Sequence, residues 1–195
     1  MKPVCEVIRL GLAPYREAWA LQAHLAGEIA AGKRAPILLL LEHPHTFTFG
    51  RRGNPANLLW NDTELARKGV EVHWVDRGGD VTYHGPGQLV GYPLLPLAPI
   101  GWMAGEQRIP RADYVSYLRK LEEALILALA HFGIAGEQVQ GLTGVWVRPH
   151  APSCCTDRPP APTGSLAKIA AIGVKVDARG ISQHGFALNV DPDMA

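Results

Sequence analysis

The sequence is poor in cysteine: of 195 residues only Cys5, Cys154 and Cys155 carry a thiol. Three thiols, two of them adjacent, do not make a disulfide framework, and the adjacent pair closes on itself only through a strained ring. Charge is scarce too, with 19 Lys and Arg against 18 Asp and Glu and a formal net charge of +1. That balance gives no electrostatic footing for nucleic acid or an anionic membrane surface. No uninterrupted apolar run could span a bilayer, and the opening MKPVCEVIRLG lacks the basic-then-apolar pattern of a secretory signal. A cytoplasmic protein is the expectation. His43 and His45, in HPH, have no cysteine or carboxylate at a usual ligand spacing, so no metal is expected. Neither G-x-x-x-x-G-K-[ST] nor G-x-G-x-x-G occurs, so no phosphate-binding loop is legible.

What is present is an ordinary globular composition, 47% hydrophobic and 19% charged, long enough for one domain with a proper core. Residues 4–10 suit a strand. Residues 13–33 suit a helix, with Tyr15, Trp19, Gln22, Leu25 and Ile29 at steps of three and four, Pro14 in the first turn and Gly32 as a stop. PILLLLEH (36–43) reads as a strand buried on both faces, and HTFTFG and GVEVHWV as alternating strands. QLVGYPLLPL (88–97) reads as a strand interrupted by Pro93. Residues 98–112 read as a loop. A helix follows, capped by Asp113 and apolar along Tyr114, Tyr117, Leu118, Leu121, Leu125, Ala128, Leu129 and Phe132, with Gly133 at its end. GVWV, KIAAIGVKV and ISQHGFALNV are strand-like, and the Pro-rich 148–167 reads as a surface insert. Strands outnumber helices, which predicts an α+β fold with helices packed on a mixed, mostly antiparallel sheet.

The segment RGGDVTYHGPGQ (77–88) mixes four glycines and a proline with Arg77, Asp80, Thr82, Tyr83, His84 and Gln88. Glycines let backbone approach a ligand and offer N–H donors to a carbonyl. On composition alone the segment is equally a hairpin turn. The density of polar side chains favours a site.

RGGDVTYHGPGQLVGYPLL resembles the signature of the lipoyl(octanoyl) transferases of lipoate biosynthesis, and LLLLEHPHTFTFGRRG, GVWV…AKIAAIGVKV and SQHGFALNV fit the same family in the same order. The resemblance implies a fold like the catalytic domain of biotin and lipoate ligases, forming a single catalytic domain over 1–195. It implies transfer of an octanoyl group from acyl carrier protein to a lysine of a lipoyl domain, through a cysteine thioester. The lipoyl domains would be those of 2-oxoacid dehydrogenase complexes and the glycine cleavage H protein. No cofactor is implied, because a thioester is already activated. Lys168 matches the family's lysine, which lowers the pKa of the nucleophilic thiol; taken alone it reads more readily as an exposed charge at a strand start. Lys175, seven residues on, would face the other way in a regular strand. The acyl-binding positions fall on Arg77, Gly78, Gly79, Asp80, Val81, Thr82, Tyr83 and His84, on Ala171, Ile172 and Gly173, and on Gly185, Phe186 and Ala187. His84 and His184 stand beside the glycines, either to orient the carbonyl or thiolate or as core histidines with ordinary hydrogen bonds.

The family's nucleophile lies in a Pro-Cys-Gly element shortly after the FALNV strand. No Pro-Cys-Gly occurs in this sequence, which runs FALNVDPDMA to Ala195. The expectation is that this segment lies beyond the residues given, and that the chain as given binds octanoyl groups but transfers them poorly. Cys154 and Cys155, in a Pro-rich insert, lack the fixed geometry of a nucleophile, and Cys5 reads as a small core residue. Two alternatives remain at this point. One is an ATP-dependent lipoate or biotin ligase, and the other a non-catalytic binder of acyl carrier protein or lipoyl domains.

Overall fold

The structure, a computed structural model, describes residues 4–97, 114–148 and 166–192. The chain divides into two compact units, Met1–Ala112 with Gly173–Ala195, and Asp113–Ile172.

In the first unit the Leu-rich run forms β2 (Ile37–Glu42). Strand β1 (Glu6–Leu12) lies parallel to it. Strand β6 (Gln88–Leu94) runs antiparallel on its other side, with Leu39 opposite Tyr92. Strand β10 (Ser182–Asn189) is antiparallel to β6, giving the order β1-β2-β6-β10. Helix α1 (Tyr15–Ala30) packs across β6 and β10. Its inward side chains Leu25, Ala26 and Ile29 meet Leu39, Val90 and Leu94 in a continuous apolar core. Burial in β2 alternates: Ile37, Leu39 and Leu41 are buried, whereas Leu38 and Leu40 are half-buried. This corrects the two-faced burial expected from the sequence. An unbroken leucine run conceals the period of two that one packed face imposes.

A smaller sheet places β3 (Thr46–Phe49) between β4 (Glu71–Trp74), parallel, and β5 (Val81–His84), antiparallel. The sequence pattern assigns no element to the segment that forms α2 (Asp62–Lys68). The signal was there. Asn61 accepts from the Glu64 N–H while the Glu64 carboxylate accepts from the Asn61 N–H, and Gly69 ends the helix at φ +63°.

Pro93 does not end β6, which continues to Leu94. Its effect falls on the neighbouring strand. The β6–β10 ladder runs from Asn189 opposite Gln88 to Phe186 opposite Gly91, and a single bridge resumes at Ile181 opposite Pro96. The same register puts His184 opposite Pro93, where no backbone N–H is available to continue the ladder.

The second unit holds α3 (Tyr114–Ala130), β7 (Gly136–Glu137), β8 (Val145–Val147) and β9 (Ala167–Val176), which enters the first unit from Gly173. The strands pair antiparallel as β7-β8-β9, and α3 packs on β7 and β8. The expected apolar face of α3 holds at Tyr117, Leu125 and Leu129, but Tyr114 and Phe132 are exposed and Glu122 is fully buried. Phe132 lies past the helix end, just before Gly133 at φ +73°. The Asp113 cap, the 98–112 loop, nearly all of the Pro-rich insert, and Cys154 and Cys155 lie outside the described residues. Cys5 is exposed rather than in the core, because it precedes the packed part of β1.

The fold is α+β with mixed, mostly antiparallel pairing, as the sequence predicts. Among the described residues no helix is long and apolar enough to cross a membrane. Leu39 is 0% exposed, so Leu39→Ala is expected to cost about 2–5 kcal/mol in urea unfolding. A loss below about 1 kcal/mol would contradict this packing.

Candidate functional site

In the first unit the glycine-rich segment is strapped across the turn that follows β3. The Gly50 N–H donates to the Asp80 carbonyl (3.1 Å), Arg51 N–H to Arg77 (3.0 Å) and Arg52 N–H to Gly79 (3.1 Å). Contact this close needs glycine: a Cβ on Gly50 would lie 2.5 Å from the Gly79 carbonyl oxygen, and Gly79 itself sits at φ +91°. On the far side Gly78 N–H donates to the Val174 carbonyl (3.0 Å), and a Cβ on Gly173 would lie 2.9 Å from the Gly78 carbonyl oxygen. The Gly78 amide, one of those expected to meet a thioester carbonyl, is therefore already committed within the fold.

Arg77 fastens the strap from inside. It is 6% exposed. Its Nη2 donates to the Thr48 carbonyl (2.6 Å) and to Thr48 Oγ1 (2.9 Å), its Nε to the same hydroxyl (3.2 Å), and its Nη1 to the Gly78 carbonyl (2.9 Å). Burial lowers its pKa. Asp80 turns away from the strap: its carboxylate accepts from the Asn54 N–H (2.9 Å) and from Asn57 Nδ2. Those bonds, the Asn54 amide foremost, hold it below the usual carboxylate range. Alternation along β5 separates the rest. The Tyr83 hydroxyl meets His45 Nδ1 (2.6 Å), while Thr82 stands opposite Thr48 and His84 points inward.

Around Tyr15 four imidazoles are buried: His43, His73, His84 and His184. His73 and His84 stack on the Tyr15 ring, and His43 tilts against it at 5.0 Å. Each ring nitrogen of three of them has a partner. His43 Nδ1 donates to the Ala13 carbonyl (2.7 Å) and Nε2 accepts from the Tyr92 hydroxyl (2.7 Å). His84 Nδ1 donates to Gln88 Oε1 (2.8 Å), and Nε2 lies 3.4 Å from Thr48 Oγ1. His184 Nε2 donates to Asp76 Oδ1 (2.9 Å), and Nδ1 lies 3.5 Å from the Tyr15 hydroxyl. His84 and His184 thus fit the core-histidine alternative better than a direct role on a carbonyl. Burial depresses His43, His84 and His184, with His84 falling to about 3 from 6.5. Asp76 is depressed as well, first by its bond to His184 and then by Lys175, whose ammonium lies 2.5 Å from Oδ2.

Downstream of His184, β10 lies tight on β6. A Cβ on Gly185 would collide with the Gly91 carbonyl, and the Phe186 ring covers the space a Gly91 side chain would fill. Ala187 is buried against the core. Gly173, Arg77–His84 and His184–Ala187 therefore share one unit.

Lys168, Ala171 and Ile172 belong to the second unit. The β8–β9 register slips by one residue, with Val145 opposite Ala170 and Trp146 opposite Lys168. This bulge re-aims side chains and breaks the simple alternation used to separate Lys168 from Lys175. The Lys168 ammonium lies 4.8 Å over the Trp146 ring. Its stem passes Gly144, where a Cβ would stand 3.4 Å from Cδ and Cε. Glu122, buried in α3, accepts from the Gly144 N–H (2.8 Å) and from Arg119 Nη1 (2.6 Å). Desolvation lowers the Lys168 pKa, and the Glu122 charge opposes that shift.

Tyr15, Gln22, His43, His73, Asp76 and Glu122 were not among the residues the sequence singled out for a site. Asp76 adjoins the glycine-rich motif, and Glu122 breaks an apolar helical stripe; both were readable. The histidine cluster was not, because four separate segments supply it.

A depressed imidazole stays neutral in the fold while the unfolded chain takes up a proton. The stability it contributes is therefore present above pH 6.5 and lost as pH falls from there towards 3. His84 contributes up to about 1.4 kcal/mol per pH unit in that window, and His43 and His184 act in the same direction. Urea unfolding at pH 7.5 and 5.5 should show a marked loss at the lower pH. Equal stabilities would contradict neutral burial of these rings.

A family model described as the lipoyl protein ligase A/B catalytic domain matches residues 14–195. The chain is 46% identical over 189 residues to an octanoyltransferase of Chloroflexus aggregans, covering 97% of this chain and 74% of that protein. It is also 46% identical over 193 residues to an octanoyltransferase of Acidobacterium capsulatum, covering 98% and 72%. Among solved structures it is similar to a bipartite lipoate protein ligase of Thermoplasma acidophilum, with a TM-score of 0.67 at 18% identity, over 97% of this chain and 62% of that one. It is similar as well to lipoate-protein ligase A bound with ATP, with a TM-score of 0.59 at 17% identity, over 96% and 67%. At such identities the structural likeness concerns the fold alone.

Proposed function

The chain belongs to the octanoyltransferases, within the lipoyl protein ligase A/B catalytic-domain family, and we propose that it moves an octanoyl group from acyl carrier protein to a lysine of a lipoyl domain. The observation that carries this is the 46% identity to octanoyltransferases over nearly the whole chain. The acyl-binding positions that the family implies on the strap and on β10 lie in one unit, which supports this reading. Each methylene taken from water contributes about 0.8 kcal/mol. A chain shortened by two carbons would lose about 1.6 kcal/mol, or about 15-fold in affinity.

The reaction has two displacements. A cysteine thiolate attacks the octanoyl thioester carbonyl, the new C–S bond forms, and the carrier's thiolate leaves. A neutral lysine amine then attacks the cysteine thioester; the C–N bond forms, the C–S bond breaks, and the amine's proton passes to a base. Lys168 serves both steps, as an ammonium that favours the thiolate and as a proton carrier during aminolysis. Desolvation lowers its pKa, while the Trp146 ring beneath it and the Glu122 charge favour the ammonium form. Cys5 does not suit the nucleophile: it is exposed ahead of β1, and partial desolvation of its sulfur pushes its pKa up.

The ligase alternative differs in needing nucleotide. The test is mass spectrometry of a lipoyl domain incubated with octanoyl-acyl carrier protein and the full-length protein. Octanoylation without ATP is expected, with Lys168→Ala slowing it by about 10²–10⁴-fold. A strict ATP requirement, or no transfer, would overturn the proposal.

A further inference from the structure

His184 is the one non-glycine among the described residues with a positive φ, at +56°. A residue with a Cβ held there stores strain, which persists only when its surroundings over-determine it. The surroundings here are specific. Pro93 stands opposite His184 in the β6–β10 register and has no N–H to give. The His184 N–H instead donates to Gln22 Oε1 of α1 (2.7 Å), and Gln22 is itself 0% exposed. The His184 ring is fixed by Asp76 Oδ1 at 2.9 Å, and Asp76 is tied by its other oxygen to Lys175. The ring is 2% exposed. Helix α1, the residue before the glycine-rich strap and the last strand thus converge on one strained residue. Directly after it come Gly185, Phe186 and Ala187.

We propose that Asp76 and Gln22 are positioning residues, which hold His184 in its left-handed conformation so that Gly185–Ala187 present their backbone to the acyl chain. The proposal rests on the octanoyl-binding role given to those three residues. Asp76 acts from the first residue before the strap, so one carboxylate sets the orientation of both backbone walls. Its charge is balanced by Lys175, which leaves the interior no net charge to accommodate at that point.

The test is a double-mutant cycle of Asp76→Ala with His184→Gly, in which glycine takes φ +56° without strain. With His184 present, Asp76→Ala is expected to lower kcat/KM for octanoyl transfer by about 5- to 150-fold, the equivalent of the strain of such a residue, chiefly through KM for the octanoyl donor. In the His184→Gly background the same change should cost less than about 2-fold. Asp76→Asn keeps an acceptor for His184 Nε2 and should lose less than Asp76→Ala. Equal losses in both backgrounds would overturn the clamp. Asp76→Leu replaces Asp76→Ala should the latter not fold. The same cycle is read from calorimetric binding of octanoyl-pantetheine. Absence of transfer by the unaltered protein would therefore sink the functional reading, while the binding cycle still decides the clamp.

Discussion

A buried guanidinium with no carboxylate beside it is costly unless every donor is met. Each of the three Arg77 nitrogens finds an acceptor, among the Thr48 carbonyl and hydroxyl and the Gly78 carbonyl. All these acceptors belong to the two backbone segments that the strap joins. The side chain cannot be satisfied unless β3 and the glycine-rich segment are held at this spacing. The three amides of Gly50, Arg51 and Arg52 complete the join from the other side. The spacing in turn forbids a side chain at Gly50 and constrains Gly173.

From Arg77 the order passes inward. Thr48 Oγ1 accepts from the guanidinium and faces His84, whose other nitrogen is fixed by Gln88, and Gln88 reaches Asn189 on β10 (2.9 Å). On the opposite flank Asp76, next to Arg77 in the chain, fixes His184. One short segment thus carries polar contacts into both ends of β10. Neutral imidazoles are well matched to these positions, because when buried they offer one donor and one acceptor without the desolvation cost of a charge. The result is a polar-bonded interior behind the glycine-rich segment, joined to β10 at His184 and Asn189.

Much of this was legible beforehand. The amphipathic period of α1, the alternating strands and the positions of Gly32 and Gly133 locate the elements, and the motif at 77–88 locates the strap. Other features are set by tertiary contacts. The leucine run of β2 gives no sign of which face is buried until α1 covers one. Pro93 reads as a break in its own strand, yet its consequence lies in β10, at His184. Asp80 sits inside the motif but points to Asn54 and Asn57, whereas Asp76, just outside it, holds the interior. Glu122 breaks an apolar stripe because a turn at Gly144 requires an acceptor there.

The hold of Arg77 on the strap is tested most directly by native-state hydrogen exchange at the amides of Gly50, Arg51 and Arg52, in the unaltered protein and in Arg77→Lys. A lysine keeps the charge but cannot span the same acceptors. The three amides are expected to be protected together and to lose protection together in the variant, while the core of β2 and β6 keeps its own. Unchanged protection of those three amides in Arg77→Lys would contradict a strap fixed by this guanidinium.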